Sequence, residues 1–335
     1  MPFGLTNAPA TFARAINLVL RGLTWKHVLA FLDDILVMGR DFTLHLRNLA
    51  DVLSRFKKFG LKLKPRKCEL FQKKDWPSVA EFARIKASPP SRAPCQLVGG
   101  VAVFCDPATW PKTRDLGRLA SGPRRVAVGI HPSRADAMTS EDWVRFESIL
   151  GSPRVRALGV GLDFFREPCQ RSVQHRTLRQ TLAFASCRKP VVLHLRGSPS
   201  DELATEPHRL ALAEAKKFCG RQQPFHIHCC SFGFAQMSEW MREFPNTCFG
   251  YTGRSLNSEQ VSGLRSLWLT EPNRLLLETD APYLRSGVDN SGCNLPSCLG
   301  QVATYIGGVL RVKPARLLQE TLKNGERFYS PEVLR

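Results

Sequence analysis

Acidic residues are scarce in this sequence, with 29 Asp and Glu against 48 Lys and Arg in 335 residues and a formal charge of +19. A surplus of that size suits a polyanionic partner such as nucleic acid, although solvated Lys and Arg alone produce the same count. No apolar run reaches the roughly eighteen residues of a membrane span. The opening MPFGLTNAPATFARAINLVLRGL also lacks the basic start and unbroken apolar core of an export signal. Neither a membrane span nor export is expected. No dense cysteine spacing occurs either: the eleven cysteines, an odd number, are scattered from Cys68 to Cys298. That argues against a disulfide framework and for a reducing compartment, so the expected location is cytoplasmic or nuclear. A glycine-rich phosphate-binding loop is missing as well. What remains is 43% hydrophobic, enough for a packed core, and too long for a single domain of usual size.

Charge and pattern change near Asp75. Residues 1 to 75 hold fourteen Lys and Arg against six Asp and Glu. Their pattern predicts a helix over Ala8 to Leu23, a β-hairpin around VLAFLDDILVMG, and an amphipathic helix over Phe42 to Phe59. The basic stretch LKLKPRKCELFQKK follows. From about Asp75 to Gln96 the periodicity lapses through SPPSRAP, which reads as a linker or a join. Beyond it a short β-branched run ending in a polar residue recurs, each time followed by a helical stretch: GGVAVFCDP, RRVAVGIHP, RALGVGLDFF, PVVLHLRG, PFHIHCCSF, TCFGYTG and RLLLETDAP. This is the rhythm of a parallel α/β fold. Seven strands are predicted where a closed (β/α) barrel needs eight.

In such barrels the chemistry gathers at the C-terminal strand ends, where His131, Asp163, His194, His228 and Asp280 fall. Imidazole with carboxylate suits zinc, manganese or magnesium, and bound cations of this kind activate water and neutralise charge on a phosphodiester. Taken singly, each histidine is more readily a polar cap on a strand. Three such positions on separate strands make the metal reading as good as the bland one. His27, His45, His175 and His208 have no ligand-spaced partner and are read as surface or packing residues.

The strings VGIHP, LGVGLDF, PVVLHLR, HCCSF and LLLETDAPYL, in that order, resemble the TatD family of metal-dependent deoxyribonucleases and related RNA nucleases. The resemblance runs from about Val98 to Tyr329 and includes the closing LKNGERFY. It implies an α/β fold, a TIM-like (β/α) barrel here lacking its first strand, that hydrolyses DNA or RNA with divalent metal, Mg2+, Mn2+ or Zn2+. It further implies metal-ligating and catalytic roles for His194, His228 and Asp280, and substrate-facing roles for His131, Arg196 and Glu278. Two departures stand out. Where the family carries a bridging glutamate, this sequence has Gly159 or a one-residue deletion, and the family's opening His-x-His pair has no counterpart, since no histidine lies between Asp75 and Gly99. Ser133 also stands where a second histidine usually follows the Gly-x-His-Pro string. These losses imply impaired hydrolysis, a metal held weakly, and an exposed sheet edge. A non-catalytic, basic nucleic-acid-binding remnant is the alternative.

The first segment carries its own resemblance. MPFGLTNAPATF, FLDDI and LKLKPRKCELF are similar, in order, to the palm motifs of gypsy-type retroelement reverse transcriptases. The resemblance implies a Mg2+-binding pair at Asp33 and Asp34 and a basic stretch near a primer path. A polymerase needs a further upstream aspartate and the fingers, neither of which is present in the sequence, so no DNA synthesis is expected. The organisation expected is therefore a small α+β palm fragment over 1–74, a linker over 75–97 and a TatD-like barrel over 98–335.

Overall fold

β-Branched runs separated by amphipathic helices dominate the computed structural model, which describes residues 16, 18–20, 22–23, 28–31, 34–37, 42–63, 95–120, 124–165, 170–281, 283–284, 294 and 296–329. The chain divides into two compact units, Met1–Ile85 and Lys86–Arg335.

In the first unit, β1 (Val28–Phe31) and β2 (Asp34–Val37) pair antiparallel, with Phe31 opposite Asp34. The hairpin expected from VLAFLDDILVMG is there. The helix Phe42–Lys58 follows, and its Val52 and Phe56, four residues apart on one face, join Ile16, Val19, Leu20 and Val28 in a small core. Arg55, Lys57 and Lys58 fill its last turn, where cations favour the helix dipole. Of the helix expected over Ala8 to Leu23, Ile16, Leu18 and Val19 are helical and most of the rest lies outside the described residues. Asp33 also lies outside them, and of Asp34 only the backbone, opening β2, is described.

The second unit contains the seven predicted strands: β3 (Gly100–Phe104), β4 (Arg124–Gly129), β5 (Val155–Asp163), β6 (Val191–Arg196), β7 (Phe225–His228), β8 (Thr247–Tyr251) and β9 (Leu275–Leu277). They form one sheet in that order, every pair parallel, with helices in the connections. This is the curled sheet of an incomplete barrel. Alternation along a strand decides which side chains face the helices and which the lumen. On β7, Phe225 packs outward on Trp240 and Phe244 at ring separations of 5.1 and 4.7 Å, and Trp240 is fully buried. His226 and His228 then face inward together.

Small residues line the inside. Ala127 and Ala157, opposite one another on β4 and β5, make a core cluster with Val192 of β6, with Val101 and Tyr329 packed against it. A Cβ at Gly129 would overlap the backbone of Gly159, so these two strands need glycine at position 129 to come this close. At Gly159 itself a Cβ would meet only Gly129 Cα at 3.6 Å and Val192 O at 4.0 Å, ordinary contact distances. The helix Pro314–Tyr329 pins the last strand: Asn324 Nδ2 donates to Pro272 O at 2.8 Å and Leu275 O at 2.9 Å.

The sheet has two edges, β3 and β9, and no pairing joins them among the described residues. Val101 packs into the lumen cluster, yet Val103, on the same face of β3, is 52% exposed. Among the described residues no strand pairs with β3 on that side. No helix among the described residues is long and apolar enough to cross a membrane.

Candidate metal centre at the strand ends

Because the strands are parallel and in step, their C-terminal ends bring residues distant in sequence to one mouth. His194 lies beside Gly161 in the β5–β6 register and beside His228 in the β6–β7 register. The ring of His131, just past β4, is 4.9 Å from that of His194, which in turn is 6.0 Å from that of His228. Asp163, ending β5, reaches His194 Nε2 with Oδ2 at 3.5 Å. Glu278 and Asp280, following β9, both approach His228: Glu278 Oε2 bonds Nδ1, and Asp280 Oδ1 is 3.4 Å from Nε2. All three residues expected as ligands, and the three expected to face substrate, are therefore in one mouth.

Hydrogen bonds fix most of these groups. The amide of Gln174, itself buried, holds the backbone of Asp163 from both sides, accepting from its N–H at 2.8 Å and donating to its carbonyl at 3.1 Å. The Phe165 N–H donates to Asp163 Oδ1 at 3.0 Å. Burial would raise the Asp163 carboxyl, but the adjacent His194 outweighs it and the group is held below its usual range. His131 Nδ1 accepts from the Ser133 N–H at 3.2 Å and lies 2.7 Å from the Ser133 hydroxyl, which assigns the ring proton to Nε2. Burial, and then His194, lower the His131 pKa to about 4. That imidazole is neutral at physiological pH, with its Nε2–H free to donate. Arg196 lies with its guanidinium 3.7 Å above the Phe165 ring, a stacked pose that leaves its edge for an anion.

Glu278 is the hub of the other half. Its Oε1 is 3.2 Å from His226 Nε2 and accepts from the Cys229 N–H at 3.1 Å, while Oε2 takes His228. His226 Nδ1 is 2.6 Å from the Tyr329 hydroxyl on the closing helix. Burial would raise the Glu278 carboxyl, yet the two imidazoles beside it hold it far below the carboxylate range. Burial would likewise lower His228, and the neighbouring Cys229 and Glu278 reverse this and push it well above its ordinary value. Space for the Glu278 carboxylate comes from Gly250, where a Cβ would overlap both it and the His226 ring. Asp280 and Cys229 both sit in the left-handed region, with φ of 53° and 47°. Such backbone costs about 1–3 kcal/mol per residue and is concentrated at functional sites.

Two groups of three have ligand atoms all within 4.8 Å of one another: His131, Asp163 and His194, and His228, Cys229 and Glu278. His194 belongs to one and His228 to the other, with Asp280 beside His228. The first group, imidazole nitrogen and carboxylate oxygen alone, suits a hard or borderline divalent cation, and the second adds the Cys229 thiol to the same donors. His194 Nε2 is buried, with the Asp163 carboxylate 3.5 Å away and no closer hydrogen-bond partner among the described residues, a placement in which a cation between the two would satisfy both. Sequence reasoning gave no role to Asp163 as a neighbour of His194, nor to His226 and Tyr329. The alternation of His226 and His228 on one face of β7 was the signal for His226. For Tyr329 the signal was its place at the end of the closing LKNGERFY string, while its partner is 103 residues away.

Residues 88–330 match the family model described as TatD related DNase, and residues 1–96 match that of reverse transcriptase, an RNA-dependent DNA polymerase. The chain is 28% identical over 257 residues to the 3'-5' RNA nuclease TATDN2 of Homo sapiens, an alignment covering 74% of this chain and 32% of that protein. With a metal-dependent hydrolase, TatD, of Mycobacterium tuberculosis it shares 27% identity over 243 residues, 68% of this chain and 84% of that one. The first segment is 47% identical over 73 residues to the retrovirus-related Pol polyprotein from transposon 297 of Drosophila melanogaster, 22% of this chain and 7% of the polyprotein. The chain thus spans about a third of the human nuclease and a small fraction of the polyprotein. Among solved structures, the TatD homologue YJJV of Escherichia coli superposes with a TM-score of 0.55 at 21% identity, covering 68% of this chain and 85% of that one, a likeness of fold.

Proposed function

Since the chain belongs to the TatD-related DNase family through residues 88–330, we propose that its second unit hydrolyses phosphodiester bonds of DNA or RNA with a divalent metal. The observation that carries this reading is the convergence of three imidazoles, His131, His194 and His228, and three carboxylates, Asp163, Glu278 and Asp280, in one mouth. His194, His228 and Asp280 would hold the cation, Mg2+, Mn2+ or Zn2+. When bound, such a cation activates water and offsets the charge that develops on the phosphate.

The protein's own groups supply the rest. Glu278, by taking His228 Nδ1, turns Nε2 toward Asp280 and the mouth. Tyr329 and His226 brace Glu278 from behind. His131 offers its Nε2–H, and Arg196 its guanidinium edge, to phosphate oxygens. Asp163 shares the pocket with His194 and keeps its negative charge. Gly159 gives no carboxylate to this ring of groups, so hydrolysis is slow compared with that of a complete barrel. In the first unit, Asp33 and Asp34 are proposed as the Mg2+-binding pair of a reverse transcriptase palm fragment.

The same Gly159 favours a second reading, a basic protein that binds nucleic acid without cutting it. End-labelled single-stranded DNA and RNA incubated with the full chain separate the two. Shortening that requires Mg2+ or Mn2+ and stops with chelator is the expected result. Salt-sensitive binding with no shortening in either metal would support the second reading and contradict the first.

A further inference from the structure

The two halves of the mouth differ in one donor. His131, Asp163 and His194 offer only nitrogen and oxygen, whereas His228 and Glu278 are joined by the thiol of Cys229. That thiol is out of its ordinary place. Side chains alternate along a strand, so with His226 and His228 facing inward the next residue should turn toward the helices. Cys229 instead takes a φ of 47°, in the left-handed region that favours glycine, and its Sγ comes back to 3.3 Å from His228 Nε2. Its N–H, donating to Glu278 Oε1 at 3.1 Å, holds this turn. Two consecutive residues therefore present ligand atoms on the same side of the sheet.

We propose that Cys229 is a metal ligand, and that the His228 half of the mouth thereby favours zinc over magnesium. The inference rests on the reading of the mouth as a divalent-cation centre and names the metal of one half of it. Three donors meet there: around His228 Nε2, Cys229 Sγ lies at 3.3 Å and Asp280 Oδ1 at 3.4 Å. Zinc takes imidazole nitrogen and carboxylate oxygen at about 2.0–2.2 Å and thiolate sulfur at about 2.3 Å, and tetrahedral angles then set the donor atoms roughly 3.3–3.6 Å apart. The three atoms are spaced as the edges of such a tetrahedron. Glu278, by bonding His228 Nδ1, keeps the ring with Nε2 toward the other two.

Charge agrees with this spacing. Binding releases the thiol proton to solvent, and the thiolate with the Asp280 carboxylate then balances the two positive charges of the cation. Three protein ligands leave a fourth position for water or a phosphate oxygen, the pattern of catalytic rather than structural zinc. Magnesium is disfavoured in the same place, because it requires near-octahedral oxygen ligands and has little affinity for sulfur. The sulfur-free half keeps the donors that suit the harder cation.

Titration of the full chain with Co2+, a spectroscopic stand-in for Zn2+, in buffer free of added thiols tests the proposal. A saturable sulfur-to-cobalt charge-transfer band in the near ultraviolet is expected, and Zn2+ should erase it by displacement. Cys229→Ser should lose the band and bind Zn2+ about tenfold or more weakly, since groups that merely orient ligands are already worth about 10–100-fold. Its Mn2+ affinity should stay near that of the parent. Cys187→Ser, which removes an exposed thiol ahead of β6, should keep the band. X-ray absorption of the zinc-loaded parent reads the same contact without any variant, as a sulfur neighbour at about 2.3 Å. A zinc shell of nitrogen and oxygen alone would overturn the proposal, as would a band that survives in Cys229→Ser and so comes from another thiol. Binding of Co2+ and Mn2+ without the band would overturn it and leave the divalent-cation reading standing, whereas failure to bind either metal would overturn both.

Discussion

Asp280→Asn is expected to lower metal-dependent cleavage by more than about 100-fold, with little change in melting temperature. The magnitude follows from comparison: replacing groups that merely orient metal ligands already costs about 10–100-fold, and Asp280 is proposed as a ligand. The small effect on stability follows from the backbone. Asp280 has φ of 53°, and asparagine is among the few residues other than glycine that enter that region readily. The substitution therefore removes one negative charge near His228 Nε2 while keeping the shape that presents it. Cleavage of a labelled single strand under single-turnover conditions reads the first effect, and thermal unfolding without metal reads the second. Equal cleavage by the variant and the parent would remove Asp280 from the machinery.

Gly159→Glu is expected to act in the opposite direction, raising metal-dependent cleavage by about 10–100-fold, the scale on which changes around a metal site act. Position 159 is on the lumen face of β5, four residues before Asp163, and its Cβ would make only ordinary contacts. The new carboxylate would be buried among neutral small residues and therefore costly unless a cation compensates it. The variant should accordingly melt lower than the parent without metal, and gain more from added Mn2+ than the parent does. Loss of stability that metal does not restore, with no gain in cleavage, would show that this position does not face the cation.

Much of the second unit was legible because each strand is a local signal. Runs such as PVVLHLR and RLLLETDAP announce both the strand and the polar residue at its end, and a parallel sheet does the remaining assembly. His194, His228 and Asp280 could be named on that basis before any distance was known. The arrangement of their supports could not. The chain Tyr329–His226–Glu278–His228 joins residues up to 103 positions apart, and each link depends on which strands are neighbours and in what register. Gly250 shows a second kind of limit: its lack of a side chain matters only because Glu278 fills the space from another strand. The seven strands were legible as a count of runs; that β3 is an edge of the sheet among the described residues, with Val103 52% exposed, required the structure.

Direct titration of the full chain with Mn2+, followed by calorimetry and by the shift in melting temperature, bears most closely on the central claim that His194, His228 and Asp280 hold a divalent cation in an incomplete barrel. The account predicts saturable binding that raises the melting temperature of the parent and is weakened at least about tenfold in His194→Gln and in Asp280→Asn. Binding of the same strength in the parent and in both variants would contradict it, as would a parent that binds no Mn2+, Mg2+ or Zn2+ at all.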